Sequence, residues 1–213
     1  EFTDEEWTEA KTITSNENYF VNWADFPSIY HFGGDTLSAH WLQKSGEGTF
    51  DYDVTVVRST DRGVTWSKPQ VPHRDGVKGE HGFVSFFRDM SDRLGLVWLD
   101  GREMKPSHDG HGYGAMNLYQ TTYGNGDEFN WEMRMDDKIC ECCPTSAIRT
   151  DNALILAYRD RSDEEIRNHL QTLDPEALDK LLTERELEDL NFGARERVND
   201  VDSKHIRDLP IVL

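Results

Sequence analysis

The stretch "RSTDRGVTWSKPQ", Arg58 to Gln70, decides how this chain is read. Within it Ser59, Asp61, Gly63, Thr65 and Trp66 stand at fixed offsets, S-x-D-x-G-x-T-W. Such a spacing fits either an active-site loop or a tight turn between strands. The chemistry of the residues favours the turn. An aspartate accepts hydrogen bonds from nearby backbone N–H groups, glycine permits positive φ, and a tryptophan can fold its ring under the loop. The stretch is therefore expected at a hairpin tip, with Ser59, Asp61, Gly63, Thr65 and Trp66 as structural residues.

The flanking sequence repeats. "DFPSIYHFGGDTLSAHW" (Asp25–Trp41), "HGFVSFFRDMSDRLGLVW" (His81–Trp98) and "CCPTSAIRTDNALILAY" (Cys142–Tyr158) share a serine, a polar turn and an apolar run closing on an aromatic. Trp41 and Trp98 lie 57 residues apart, and Trp98 and Tyr158 lie 60 apart. The serines Ser28, Ser85 and Ser146 are spaced by 57 and 61. Leu37, Leu94 and Leu154 correspond as well. Short strands with turn signals between them, such as "GGD", read as hairpins, and the near-continuous runs "RLGLVWL" and "ALILAY" read as strands covered on both faces. "YDVTVVRS" and "AMNLYQTTY" supply third strands, and fourth strands follow near "WSKPQV" and "WEMRM". Four-stranded units at such a period are the pattern of β-propeller blades. "TTYGNGDEFNW" is a degenerate copy of the opening motif, with Trp131 in the place of Trp66.

The motif Ser59–Trp66 resembles the Asp-box, or BNR repeat, of sialidase-like propellers, and the resemblance extends over roughly residues 23–172. It implies a propeller, six-bladed in true sialidases, with the Asp-box tips on the rim away from the substrate face. It also implies an extracytoplasmic protein, secreted or periplasmic, directed at glycans. Sialidases hold a sugar carboxylate with three arginines, use an aspartate as acid/base and a tyrosine paired with a glutamate as nucleophile. The family's first arginine lies in an F/Y-R-I-P-type motif; the positional counterpart here, "ADFPS", has no arginine before Pro27.

Candidate chemistry therefore comes from the repeat itself. Past equivalent strands stand Asp100, Arg102 and Glu103 in "LDGRE", and Arg159, Asp160 and Arg161 in "RDRSDEE"; the first copy offers Lys44. Equivalent positions in successive blades share one end of a propeller. Arg102, Arg159, Asp100 and Asp160 are the expected catalytic groups, and Arg161, Lys44 and Glu103 the expected substrate contacts. The alternative is that these are solvated loop charges in weak surface pairs. The function so implied is hydrolysis or binding of terminal acidic sugars; the other expectation is a non-catalytic module for a glycan or protein.

Composition sets the remaining bounds. With 23 Lys and Arg against 41 Asp and Glu, the net charge is -18, which opposes binding to a phosphate backbone, so no nucleic-acid partner is expected. No apolar run approaches the roughly 20 residues of a membrane helix, so no membrane span is expected. The start, "EFTDEEW", carries no leader and no Met, consistent with a processed or truncated product. No phosphate or dinucleotide fingerprint is present, and no cofactor is expected. All three cysteines, Cys140, Cys142 and Cys143, crowd into "CECC". C-x-C-C is not a standard zinc spacing, and adjacent Cys142 and Cys143 are expected to reach one ion only with strain. A disulfide from Cys140 to one of them, buried thiols, or a metal site completed by His108 and His111 are the alternatives.

Beyond residue 172 the pattern changes. Asp174 reads as an N-cap, Pro175 as the first helical residue, Leu178, Leu181 and Leu182 as an apolar stripe, Thr183 to Glu186 as a capping box, and Gly193 as a stop. A mainly β unit over 1–172 and a mainly helical tail over 173–213 are expected. Two and a half blades do not close a ring. The expected architecture is a partial or open propeller: a piece of a longer one, a sheet closed by the tail, or one completed by a second copy or a partner chain.

Overall fold

A computed structural model describes residues 2–3, 6–7, 9–106, 112–124 and 128–161. The chain divides into two compact units, Glu1–Arg159 and Asp160–Leu213. Of the second, Asp160 and Arg161 are described; the expected helical tail and His108 and His111 lie outside the described residues.

The first unit is mainly β. Its strands are β1 (Phe2–Thr3), β2 (Glu6–Trp7), β3 (Ser28–Gly33), β4 (Thr36–Lys44), β5 (Tyr52–Ser59), β6 (His81–Arg88), β7 (Leu94–Asp100), β8 (Lys105–Pro106), β9 (Gly112–Tyr113), β10 (Met116–Thr122), β11 (Met133–Ile139), β12 (Ser146–Arg149) and β13 (Leu154–Ala157). Two short hairpins pair β1 with β2 and β8 with β9. The rest form three antiparallel sheets, in the orders β3-β4-β5, β11-β10-β7-β6 and β12-β13. A fourth, minimal strand borders the first sheet, where Gln70 exchanges both backbone bonds with Val56 at 2.8 and 2.9 Å.

The repeat read from the sequence is a repeat of register. Ser28 pairs with His40, Ser85 with Val97 and Ser146 with Ala157, each partner standing just before Trp41, Trp98 or Tyr158. At the turn end Leu37 faces His31, Leu94 faces Arg88 and Leu154 faces Arg149. The turns differ in chemistry. Gly34, at φ 55, serves the first hairpin, and Asp92, at φ 59, serves the second.

Every residue of β7 is buried. Period-two alternation explains how. Leu94, Leu96 and Trp98 pack with Val54, Val56 and Tyr52 of β5. Val97 and Leu99 pack with Phe83 and Phe87, and Leu154, Leu156 and Tyr158 lie against that cluster. The second sheet is thus covered by the first on one face and by the β12-β13 hairpin on the other. At about 1.5–3 kcal/mol per fully buried large apolar side chain, these two interfaces dominate the stabilisation of the unit.

One point in β6 departs from regularity. Its register slips between Gly82 and Ser85, and Phe83 takes φ 53. A Cβ on Gly82 would stand 2.1 Å from Asp25 Oδ2 and 3.0 Å from the Tyr52 ring. Only glycine lets β6 approach that closely. The bulge aims the Phe83 amide at Asp25 Oδ2, 2.7 Å away.

Candidate functional site

The S-x-D-x-G-x-T-W turn closes on itself. Ser59 Oγ donates to Asp61 Oδ1 at 2.7 Å and accepts from the Gly63 amide at 2.8 Å. Asp61 accepts from the Thr65 amide at 2.9 Å and from the Thr65 hydroxyl at 2.5 Å. The Thr65 bonds, with Ser59 adding to them, hold the Asp61 carboxyl down at about 2. Gly63 takes φ 80, and Trp66 packs against Ala39, Trp41 and Val57. All five motif residues serve the turn. In the degenerate copy the correspondence shifts. Trp131 is 80% exposed, while Phe129 is buried against Tyr123 at 4.2 Å between centroids. Phe129, not Trp131, is the turn's buried aromatic.

At the other end of β5 lies a dense network of charges. It forms where β7 ends at Asp100 and where β5 and β6 begin. Arg102 grips Asp100 with two parallel bonds, Nε to Oδ1 at 2.8 Å and Nη2 to Oδ2 at 2.7 Å. The Trp98 indole donates to Asp100 Oδ2 at 2.8 Å. The Arg102 guanidinium lies over the Tyr119 ring at 3.9 Å, and its Nη1 is 3.5 Å from Glu132 Oε1. Burial opposes the charge on Arg102, but the Asp100 bonds outweigh it and raise its pKa further.

His81 and Asp100 are fully buried. His81 Nδ1 faces the Tyr52 carbonyl at 3.2 Å, and Nε2 faces Asp75 Oδ2 at 3.3 Å, with Asp100 Oδ1 at 3.7 Å. Acceptors on both sides assign a proton to each ring nitrogen. Burial disfavours that charge, but Asp75, Asp100 and Asp53 outweigh it and raise the His81 pKa. His73 stacks on His81 at 3.9 Å and 9° and meets Asp75 Oδ1 at 2.7 Å. Asp75 is driven well below the usual carboxylate range; burial opposes this, but the bonds from His73 and His81 prevail.

Two triads here, Asp53/His73/His81 and Asp75/His81/Asp100, are close enough to surround a cation. A metal requires an unprotonated ring nitrogen. With Nδ1 held by the Tyr52 carbonyl and Nε2 beside Asp75 and Asp100, the protonated ring forms a charge-pair network with Arg102, and a cation would have to take the place of the Nε2 proton. Local patterning does not show it: His73 and Asp75 lie in the segment before β6, His81 opens β6 and Glu132 stands just before β11, and the H-x-D spacing at residues 73–75 is the lone local signal.

Beside the network, Tyr52 OH donates to Glu80 Oε1 at 2.9 Å, the two residues being joined by a parallel bridge. Burial pushes Glu80 up to about 7 and Asp25 up to about 6. Tyr52 is fully buried, and Phe20 stacks on its ring at 3.9 Å.

Towards solvent the network continues through Glu132. Its Oε1 accepts from the Arg74 amide at 3.2 Å. The Arg74 guanidinium donates to the carbonyls of Asn130 and Phe129 and lies 5.1 Å from the Trp131 ring centre. Arg102 and Arg134 both act on Tyr119, partly offsetting the upward push of burial on its phenol.

The other expected residues lie apart. Glu103 pairs with Arg134 at 2.9 Å, both side chains nearly half exposed. Lys44 ends β4 beside an open cleft of about 820 Å³ lined by Asn18–Val21 and Lys44–Thr49. Asp160 and Arg161 belong to the second unit. Arg159 faces the cysteines, its Nη1 3.5 Å from Cys140 Sγ and 4.0 Å from Cys143 Sγ. The three sulfurs gather despite the adjacency of Cys142 and Cys143: Cys140 Sγ is 2.7 Å from that of Cys143 and 3.5 Å from that of Cys142. The turn after β11, between Ile139 and Pro144, brings the three sulfurs together.

No protein-family model and no curated protein matches this chain.

Proposed function

We propose that the chain is a sialidase-like Asp-box propeller unit, extracytoplasmic, that binds acidic glycans without hydrolysing them. The repeated hairpin register, the closed Asp-box and the four-stranded sheet support the propeller. Further blades, from a longer protein, a second copy or a partner chain, complete the ring in this proposal.

The observation that carries the binding function is the Arg74–Trp131 pair. Trp131 is 80% exposed, so its indole presents an apolar face to solvent beside the Arg74 guanidinium. A sugar's C–H face fits such a platform, and the guanidinium beside it supplies the cation that a carboxylated sugar needs in an acidic protein. The Arg74 guanidinium is held by the carbonyls of Asn130 and Phe129, with Glu132 Oε2 4.0 Å from its Nη1, so little side-chain freedom is lost on binding. Arg102 is unsuited to grip substrate itself, because Asp100 already engages its fork.

Glycan-array binding followed by titration with a sialoside tests the proposal. Binding lost in Trp131→Ala and weakened in Arg74→Ala is expected, with unchanged thermal stability. Binding untouched by Trp131→Ala defeats it.

The Tyr52–Glu80 couple, with Asp25 nearby as a carboxyl raised to about 6, favours a second reading as a hydrolase of the sialidase type. Against it, Tyr52 is wholly buried beneath Phe20. Turnover of a fluorogenic sialoside that disappears in Tyr52→Phe would replace the first reading with the second.

A further inference from the structure

The cysteine cluster is absorbed by neither reading. Cys140 is buried at the end of the second sheet, Cys143 is half-buried and Cys142 is exposed. Their three Sγ atoms lie within 4.8 Å of one another. The separation of 2.7 Å between Cys140 and Cys143 is longer than the bond of about 2.05 Å in a disulfide. It is shorter than the edge of about 4 Å that three sulfurs take around an ion at about 2.3 Å each. The pair can relax either way, and the remaining groups decide which. A disulfide accounts for two sulfurs. It leaves unexplained why Cys142 turns back to within 3.5 Å of Cys140. It also leaves unexplained the guanidinium placed against Cys140 and Cys143.

We propose that Cys140, Cys142 and Cys143 form a three-thiolate site for a soft monovalent cation of the copper(I) class, with Arg159 offsetting its negative charge. The donor set supports the choice of ion. Thiolates select soft metals, and among the described residues this group contains sulfur donors alone. Three donors suit a low-coordinate monovalent ion, whereas structural zinc takes four. Binding releases the proton of each ligating thiol. The guanidinium keeps its charge at any working pH and so balances the thiolates formed. Its position is fixed from the backbone, since the Cys140 amide donates to the Arg159 carbonyl at 2.9 Å. The exposed Cys142 gives the ion a way in from solvent.

The test is anaerobic titration of the fully reduced chain with copper(I) in competition with a colorimetric copper(I) chelator. One ion per chain is expected, with affinity weakened at least about tenfold in Cys142→Ser and measurably in Arg159→Gln. Cys142 is exposed, so its replacement tests the ligand without removing buried packing, and circular dichroism checks the fold. Failure of the reduced chain to compete for the ion overturns the proposal. So does unchanged affinity in Cys142→Ser, which assigns Cys140 and Cys143 to a two-sulfur site or a disulfide.

Discussion

Arg102 and Asp100 meet fork to fork, at 2.8 and 2.7 Å, two residues apart in sequence and both largely withdrawn from water. The pair closes the end of β7 and ties it, through Asp75 and His81, to the loop before β6. Such a bond earns its strength from geometry, because a planar guanidinium matches a carboxylate with two parallel hydrogen bonds.

Removing one partner leaves the other charged and buried. Asp100→Ala is expected to destabilise the protein by about 3–5 kcal/mol, since Arg102, His81 and the Trp98 indole all lose an acceptor. Arg134→Ala breaks an exposed pair with Glu103 and is expected to cost about 1 kcal/mol or less. Urea unfolding of both variants measures the contrast, and equal losses would contradict the distinction between the two sites.

Glu80 supplies a pH test. Burial lifts its carboxyl from the ordinary 4.5 to about 7. A folded value above the unfolded one means that the folded state binds the proton more tightly. The contribution is therefore complete below about pH 4.5 and lost as pH rises through about 7. Glu80→Gln is neutral throughout and still accepts from Tyr52 OH. The stability of the wild-type protein relative to this variant is expected to fall between about pH 4.5 and about pH 8. Parallel unfolding profiles would show that Glu80 ionises without cost.

The turn from Ser59 to Trp66 predicts a backbone effect rather than a chemical one. Gly63 sits at φ 80, and a Cβ there would be 3.4 Å from Leu37 Cδ1. Gly63→Ala is expected to cost about 1–2 kcal/mol, the penalty for a left-handed L-residue, and to leave the proposed glycan binding unchanged. A loss of binding at constant stability would move the motif from the fold to the site.

Gly95 tests the packing of β7 against β6. An added Cβ would lie 2.3 Å from the Phe87 ring, which is itself buried. Gly95→Ala is expected to destabilise by about 1–3 kcal/mol through overpacking. The double variant Gly95→Ala with Phe87→Leu is expected to recover part of that loss, and thermal unfolding of the pair checks it.

Local sequence determined the hairpins. Apolar runs, polar turns and the spacing of Ser28, Ser85 and Ser146 placed β3, β4, β6, β7, β12 and β13, because a strand's alternation and its turn are written in neighbouring residues. The S-x-D-x-G-x-T-W turn was legible for the same reason: the side-chain bonds that close it join residues within four positions. Asp100 and Arg102, two residues apart, were also visible as a pair, though not their mutual engagement. Only the tertiary structure brought His73, Asp75, His81 and Glu132 to them, from separate loops and the first residue of β6. It also turned Trp131 outward and Phe129 inward, and it drew three sulfurs and Arg159 to one point. These outcomes depend on how one sheet packs on the next, on where chain reversals aim side chains, and on which charges burial forces to find partners. None of that is encoded within the short windows over which sequence periodicity operates.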